Sequence, residues 1–270
     1  MAKEKSDKAP VRPGQITVVI PYSHDKAQGD ELKYALRSWE LNFIGKINVV
    51  IIGDREAWFS KDITHIPFES VSDNPQLNQL EMLRIAVASA EVSDRFIWSN
   101  DDIYLWQPVT LAHLQIPKHT GPFNPGLYGE MYREAVIRTR DLIRACGVDE
   151  PLCFGTHTPY VFDKVKVVEM FERFPQLAED AYLFESVYFN FSECHPILVD
   201  WRRDSWCASI VSPDPSPERF DAFTRDKCII NNAETGYSPF FVSKLAERYP
   251  LPSRFELCDD WQSSFVVRFR

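Results

Sequence analysis

The sequence predicts an α/β fold, a mostly parallel sheet flanked by helices. Three observations carry that expectation. Short β-branched runs stop abruptly at turn residues, amphipathic helical segments lie between them, and the strand ends are polar or acidic. Ile16-Thr-Val-Val-Ile20, halted by Pro21, reads as a buried strand, and Tyr22 to Gly29 as a polar loop. From Asp30, a plausible N-cap, Leu32, Leu36, Trp39 and Phe43 recur at helical spacing. Ile47-Asn-Val-Val-Ile-Ile52 is a second strand, closed by Gly53-Asp54. Two buried strands joined through a helix imply a parallel pair with a right-handed crossover.

Leu77 to Ala90 is again helical in period and leads into a third strand, Arg95 to Ser99, followed at once by Asn100-Asp101-Asp102. Ile103-Tyr-Leu-Trp106 is apolar and closed by Pro108, and Gln107 to Pro125, with four prolines, reads as loop. Helices are expected over Tyr132–Ala145, Lys164–Phe174 and Phe240–Arg248. Asp204 to Phe220 carries Pro213, Pro215 and Pro217 and reads as an irregular surface excursion. The polar, Lys-rich residues 1–14 are expected to be disordered, leaving 15–270 as a single domain.

Composition limits the partners. A net charge of −9 over 270 residues repels phosphate backbones on average, which disfavours non-specific nucleic-acid binding. The six cysteines form no C-x-x-C pair, no stretch approaches the ~20 apolar residues of a membrane helix, and the charged N-terminus lacks a signal peptide's apolar run. The expectation is a cytoplasmic protein with reduced thiols. Its oligomeric state is not legible.

In an open α/β sheet, ligands sit outside the carboxyl ends of the strands. Here three such ends, Ser23-His24-Asp25, Gly53-Asp54 and Asn100-Asp101-Asp102, would share one rim. Adjacent carboxylates at a strand tip suit Mg²⁺ or Mn²⁺, which take oxygen ligands and often bind beside substrate phosphates. Nucleotide-sugar transferases of the GT-A type place a D-x-D or related acidic turn here. An isolated Asp pair can equally cap the following element.

Four blocks in order, Asp30 to Ser38, Phe96 to Tyr104, His157 to Pro175 and Asn231 to Glu256, resemble those of the Stealth family, which includes capsular-polysaccharide sugar-phosphate transferases and the N-acetylglucosamine-1-phosphotransferase of lysosomal enzymes. Asp30-Glu-Leu-Lys-Tyr-Ala-Leu-Arg-Ser38 is similar to its D-E-L-R-Y-S-L-R-S, and Phe96-Ile-Trp-Ser-Asn-Asp-Asp-Ile-Tyr104 to its F-x-Y-x-N-D-D-x-F. His157-Thr-Pro-Tyr160 with Arg173-Phe-Pro175 resembles H-A-P-Y and E-x-R-F-P, while Asn231-Asn232 and Tyr249 to Glu256 resemble N-D and F-P-x-P-S-x-F-E. The first block departs from T-W-V-D-G-S-D, so the match of the family's catalytic Asp to Asp25 is uncertain by a residue, and Asn232 stands where the family has Asp.

The resemblance implies a GT-A-like enzyme with a UDP- or CMP-linked sugar donor and a divalent metal. Asp101 and Asp102 would be metal ligands, Asp102 also acting in catalysis with His157 and Asp25. The donor would meet Asn100, Arg37, Asp54, Arg202 and Arg203. Each has a plainer alternative: a turn for Asn100, a salt bridge for Arg37, a solvated polar loop for His24 and Asp25, a structural His157, a basic-aromatic turn around Arg202 and Arg203. Glu256 reads as structural, and the aromatic-rich helices as core. Transfer of sugar or of sugar-1-phosphate onto a glycan hydroxyl is the first functional reading. Glycosylation of modified bases in viral DNA and a catalytically inactive carbohydrate-binding protein are the alternatives.

Overall fold

The computed structural model describes residues 15–200 and 206–257. The chain opens with β1 (Ile16–Tyr22), α1 (Glu31–Asn42), β2 (Phe43–Ile44), β3 (Ile47–Gly53), β4 (Ile63–Pro67) and α2 (Pro75–Ala88). It continues through β5 (Arg95–Trp98), β6 (Ile103–Leu105), β7 (Val109–Thr110), α3 (Leu111–Leu114), β8 (Lys118–His119) and α4 (Glu130–Ala145). Then come β9 (Tyr160–Asp163), α5 (Lys164–Arg173), α6 (Phe184–Asn190), β10 (Ile197–Leu198), β11 (Cys207–Ile210), α7 (Pro217–Thr224), β12 (Ile229–Asn232) and α8 (Pro239–Arg248).

The main sheet has the order β4-β3-β1-β5-β9. β4, β3, β1 and β5 run parallel, and β9 closes the edge antiparallel to β5. The fold is therefore the mixed α/β architecture with a mostly parallel sheet that the sequence implies. β1 and β3 are contiguous apolar runs because helices cover both faces of a parallel sheet. Val18 and Ile20 pack with Leu36 and Trp39 of α1 on one face, while Val19 packs with Leu83 of α2 and Phe171 of α5 on the other. The alternation is the two-residue period of a strand.

The acidic turn leaves β5 and enters β6, which belongs to a second sheet, β11-β12-β6, antiparallel between β6 and β12. That sheet holds its own core with α1, α7 and α8, through Tyr104, Ile230, Phe220, Phe241 and Leu245. The segment read as an irregular excursion is corrected here. Cys207, Ala208 and Ile210 are buried in a paired strand, and Ser216, whose side chain accepts from Arg219 N, starts a helix with Pro217 at its first position. Pro213 and Pro215 lie between these two elements and Pro217 opens the helix, so none of the three interrupts either. Residues 107–125 likewise contain two-residue strands and one turn of helix.

Two further expectations change. Asp30 occupies the N-cap position of α1 but its side chain makes no capping bond: its carboxylate pairs with Lys33 at 2.8 Å, while Glu31 Oε2 accepts from Gln28 N, ahead of the helix, at 2.7 Å. Arg37 is committed to Glu256. Its Nε and Nη2 donate to the two carboxylate oxygens at 2.9 and 2.6 Å, and Nη1 to the Tyr249 carbonyl at 3.2 Å. This bidentate pair ties α1 to the C-terminal segment, and Glu256 is structural, as expected.

Removing one member of such a half-buried pair leaves the other charge poorly solvated. Glu256→Ala is expected to lower unfolding stability by about 2–3 kcal/mol, whereas replacing Arg37 and Glu256 together by Met and Leu recovers much of it. Urea unfolding followed by circular dichroism checks both variants. A loss below about 0.5 kcal/mol would assign the pair to the class of screened surface bridges.

Candidate active site

Since β1, β3 and β5 are adjacent and parallel, their carboxyl ends reach the same edge of the sheet. The first two tips are knitted together: Asp54 Oδ2 accepts from His24 N at 2.8 Å, and Glu56 Oε1 accepts from Tyr22 OH at 2.8 Å and lies 2.5 Å from His24 Nδ1. That contact with Glu56 raises the His24 pKa above its ordinary value. Asp25 is exposed on the turn beside His24. Asp54 thus already holds a backbone amide of the neighbouring tip.

The third tip is the most charged. Burial, then the charges of Asp102 and Glu31, push the Asp101 carboxyl well above the usual carboxylate range. Glu31 is itself nearly buried and raised, first by desolvation. Its Oε1 accepts from Asn232 Nδ2 at 2.7 Å, and Asn232 Oδ1 in turn accepts from Tyr104 OH at 2.9 Å. An Asp at 232 would set a second carboxylate against Glu31, so the amide here has a local electrostatic reason.

Asp102 Oδ1 lies 2.9 Å from His157 Nε2. Desolvation opposes protonation of His157, yet the charge and hydrogen bond of Asp102, with Asp101 and Glu31 behind, raise its pKa overall. His157 is the non-glycine residue with positive φ among those described, at 49°. Its carbonyl accepts from Asn231 Nδ2 at 2.7 Å, and Ser209 Oγ donates to Asn231 Oδ1. The second sheet therefore holds the histidine in a backbone conformation that costs energy and aims it at the acidic turn.

Asn100 and His157 open onto a cleft of about 780 Å³ that also takes in Gln76, Trp98, Tyr128, Tyr132, Tyr160 and Glu185. Burial pushes the Glu185 carboxyl up to about 7. Sequence reading missed Glu31 and Glu185. Glu31 sits inside the Asp30 to Ser38 block and was visible as an acidic first-turn residue, while Glu185 gives no signal within its aromatic run. Some of the rings expected to be core, Trp98, Tyr160 and Phe184 among them, also face this cleft. The structure brings together Asp25, Asp54, Asn100, Asp101, Asp102 and His157 along one rim, and sends Arg37 to Glu256. Arg202, Arg203 and residues 1–14 lie outside the described residues.

Among the described residues, no group of three or more His, Cys, Asp and Glu is arranged to hold a metal ion by itself. The donor chemistry present is a pair of adjacent carboxylates, with Glu31 behind them, whose mutual repulsion a cation would relieve. Such a pair fits an ion that completes its shell with phosphate oxygens.

No family model and no curated protein matches the chain, so the Stealth blocks remain a resemblance. Among solved structures, the chain is similar to the apo structure of the WbbM bifunctional glycosyltransferase, with 10% identity and a TM-score of 0.55. The match covers 91% of this chain and 51% of that one, so the chain spans about half of that protein's length. At this identity the likeness shows the fold: an α/β architecture shared with a glycosyltransferase.

The raised Glu185 pKa has a sign that can be measured. The folded state keeps the proton that the unfolded chain releases near pH 4.5, so wild-type stability falls as pH rises from there to about 7, then levels off. Glu185→Gln is expected to be more stable than wild type by up to about 3 kcal/mol at pH 8 and equal to it near pH 4. Thermal unfolding across that range checks this, and a pH-independent difference would contradict it.

Proposed function

We propose that this protein is an enzyme that transfers a sugar, or a sugar-1-phosphate, from a UDP- or CMP-linked donor to an acceptor hydroxyl on a glycan. The observation that carries the reading is the Asn100-Asp101-Asp102 turn at the tip of β5, beside an open cleft and hydrogen-bonded to His157. The shared fold with a glycosyltransferase supports it. Asp101 and Asp102 would hold Mg²⁺ or Mn²⁺, which when bound neutralises charge on the departing nucleotide phosphate.

The chain's own groups have separable tasks. Asn100 offers an amide to the donor's ribose or phosphate. His157, kept protonated over a wider range by Asp102, can donate to a phosphate oxygen as charge develops there. Asp102 orients that imidazole and fixes which nitrogen faces it. The 15–257 region would work as one transferase domain. Cys146, Cys153, Cys194 and Cys228 are free thiols, which supports a reducing, cytoplasmic setting; no described helix is long and apolar enough to cross a membrane.

The test is a thermal-shift series with UDP, CMP and their sugar conjugates, with and without Mn²⁺. A native-state ligand at about 100 times its Kd adds about 2.7 kcal/mol of stability. The expected outcome is a shift that needs Mn²⁺ and is lost in Asp102→Asn, with turnover lowered about 100-fold or more. A shift that survives the substitution unchanged would remove the acidic turn from the donor site. Glycan binding without any nucleotide response would instead mark an inactive carbohydrate-binding protein.

A further inference from the structure

The cleft continues past the acidic turn toward the β5–β9 side of the sheet, and its lining differs from the rim's. Tyr128 and Tyr132 present rings 4.9 Å apart, joined by Trp98 and Tyr160. Among its described lining residues there is no lysine or arginine. Those described residues offer an anionic acceptor, whether a phosphorylated sugar or a DNA backbone, no fixed positive charge except a protonated His157. Gln76 lines the same cleft, and its Oε1 has no hydrogen-bond partner although buried. A buried acceptor of this kind calls for a donor, such as a ligand hydroxyl.

Glu185 also lines this space. It is 7% exposed, it lies in the first turn of α6, and no described side chain hydrogen-bonds to it. Gly155 marks its position: a methyl group there would lie 3.5 Å from Glu185 Oε1 and 3.2 Å from Tyr132 OH. A side chain here would crowd the Tyr132 hydroxyl and touch the Glu185 carboxyl, so the backbone at 155 runs close to both groups. Aromatic faces, a bare amide and a lone carboxylate are the chemistry that recognises an uncharged sugar, by stacking on its C–H face and bonding its hydroxyls.

We propose that this cleft is the acceptor subsite for a neutral sugar, and that Glu185 is the catalytic base that takes the proton of its attacking hydroxyl. The inference rests on the transferase reading above and adds the acceptor's chemical class. In the step, the acceptor oxygen forms a bond to the anomeric carbon of a UDP- or CMP-linked donor, which releases UDP or CMP, or to the sugar-bearing phosphorus of a UDP-linked donor, which releases UMP. The bond from that centre to the leaving nucleotide phosphate breaks, its electron pair departing with the phosphate, and the hydroxyl proton passes to a Glu185 oxygen. The groups facing Glu185 are His157, Tyr128, Tyr132, Tyr160 and Cys153. Burial raises the three tyrosines and the thiol, so in the neutral range they stay uncharged. A base poised near pH 7 suits this task.

The experiment uses the full chain with Mn²⁺ and whichever of UDP or CMP raises its thermal midpoint. Saturation-transfer NMR then probes methyl glycosides of glucose, galactose, mannose and N-acetylglucosamine beside glucose 6-phosphate and mannose 6-phosphate. At least one neutral glycoside should bind and the phosphates should not. Tyr128→Ala should weaken that glycoside about fivefold or more while leaving the nucleotide shift intact. With the matching UDP- or CMP-sugar as donor, Glu185→Gln should lower kcat about 100-fold or more, change KM little, and abolish the rise of kcat/KM through pH 7. Phosphates binding as well as neutral sugars, or no glycoside binding to a chain that does bind nucleotide, overturns the subsite. Unchanged kcat or an unchanged pH profile in Glu185→Gln overturns the base. A chain that binds no nucleotide overturns the donor reading as well.

Discussion

Repulsion among carboxylates gathered at one end of a parallel sheet governs this molecule. The register of β1, β3 and β5 leaves their tips no choice but to share an edge, and α1 adds Glu31 from the side. In an environment of low effective dielectric, like charges at such range cost several kcal/mol unless protonated or compensated. The fold compensates twice from within. Asn232 supplies an amide to Glu31, and His157 supplies a proton-bearing ring to Asp102. Both depend on the second sheet, since Asn232 and Asn231 end β12 and Asn231 holds the carbonyl of the strained His157.

Much of the frame was legible because fully buried parallel strands must be apolar throughout. Ile16 to Ile20 and Ile47 to Ile52 have no other stable use, and the helix between them fixes their direction. The acidic tips were legible for a complementary reason: a charged residue directly after a buried run has to emerge somewhere, and in this fold it emerges at the rim. Strands such as Tyr160–Asp163, Cys207–Ile210 and Ile229–Asn232 were not recognised. Each is four residues long, and their pairing is with partners remote in sequence, so local pattern holds little of the signal.

The site shows the same division. Asn231 and Asn232 drew notice as a motif, yet their roles lie in bonds to His157, 74 residues away, and Glu31, 201 residues away. Nothing local in the sequence reports such a contact. Arg37 sat among apolar neighbours with two readings open, and the bidentate geometry of Glu256, 219 residues on, decides in favour of the salt bridge. Glu185 is the sharpest case. Within Leu183-Phe-Glu-Ser-Val-Tyr-Phe189 a single acid reads as one polar position on a short helix, and only the cleft gives it a task.

Charge also orders the two halves of the site. A diphosphate approaching this rim meets Asp101, Asp102 and Glu31 on a chain of net charge −9, with no basic side chain lining the adjoining cleft among the described residues. The described lining of that cleft supplies no lysine or arginine to offset the repulsion, so on the proposed reading the donor's charge is masked by what travels with it. A divalent ion shared between phosphate oxygens and the two aspartates does this, and removes the repulsion between the aspartates as well. An uncharged acceptor meets no such barrier and needs only faces to stack on and a base for its proton. The acidic rim and the aromatic cleft, whose described lining holds no lysine or arginine, are then two answers to one constraint: each half suits the charge of what it receives.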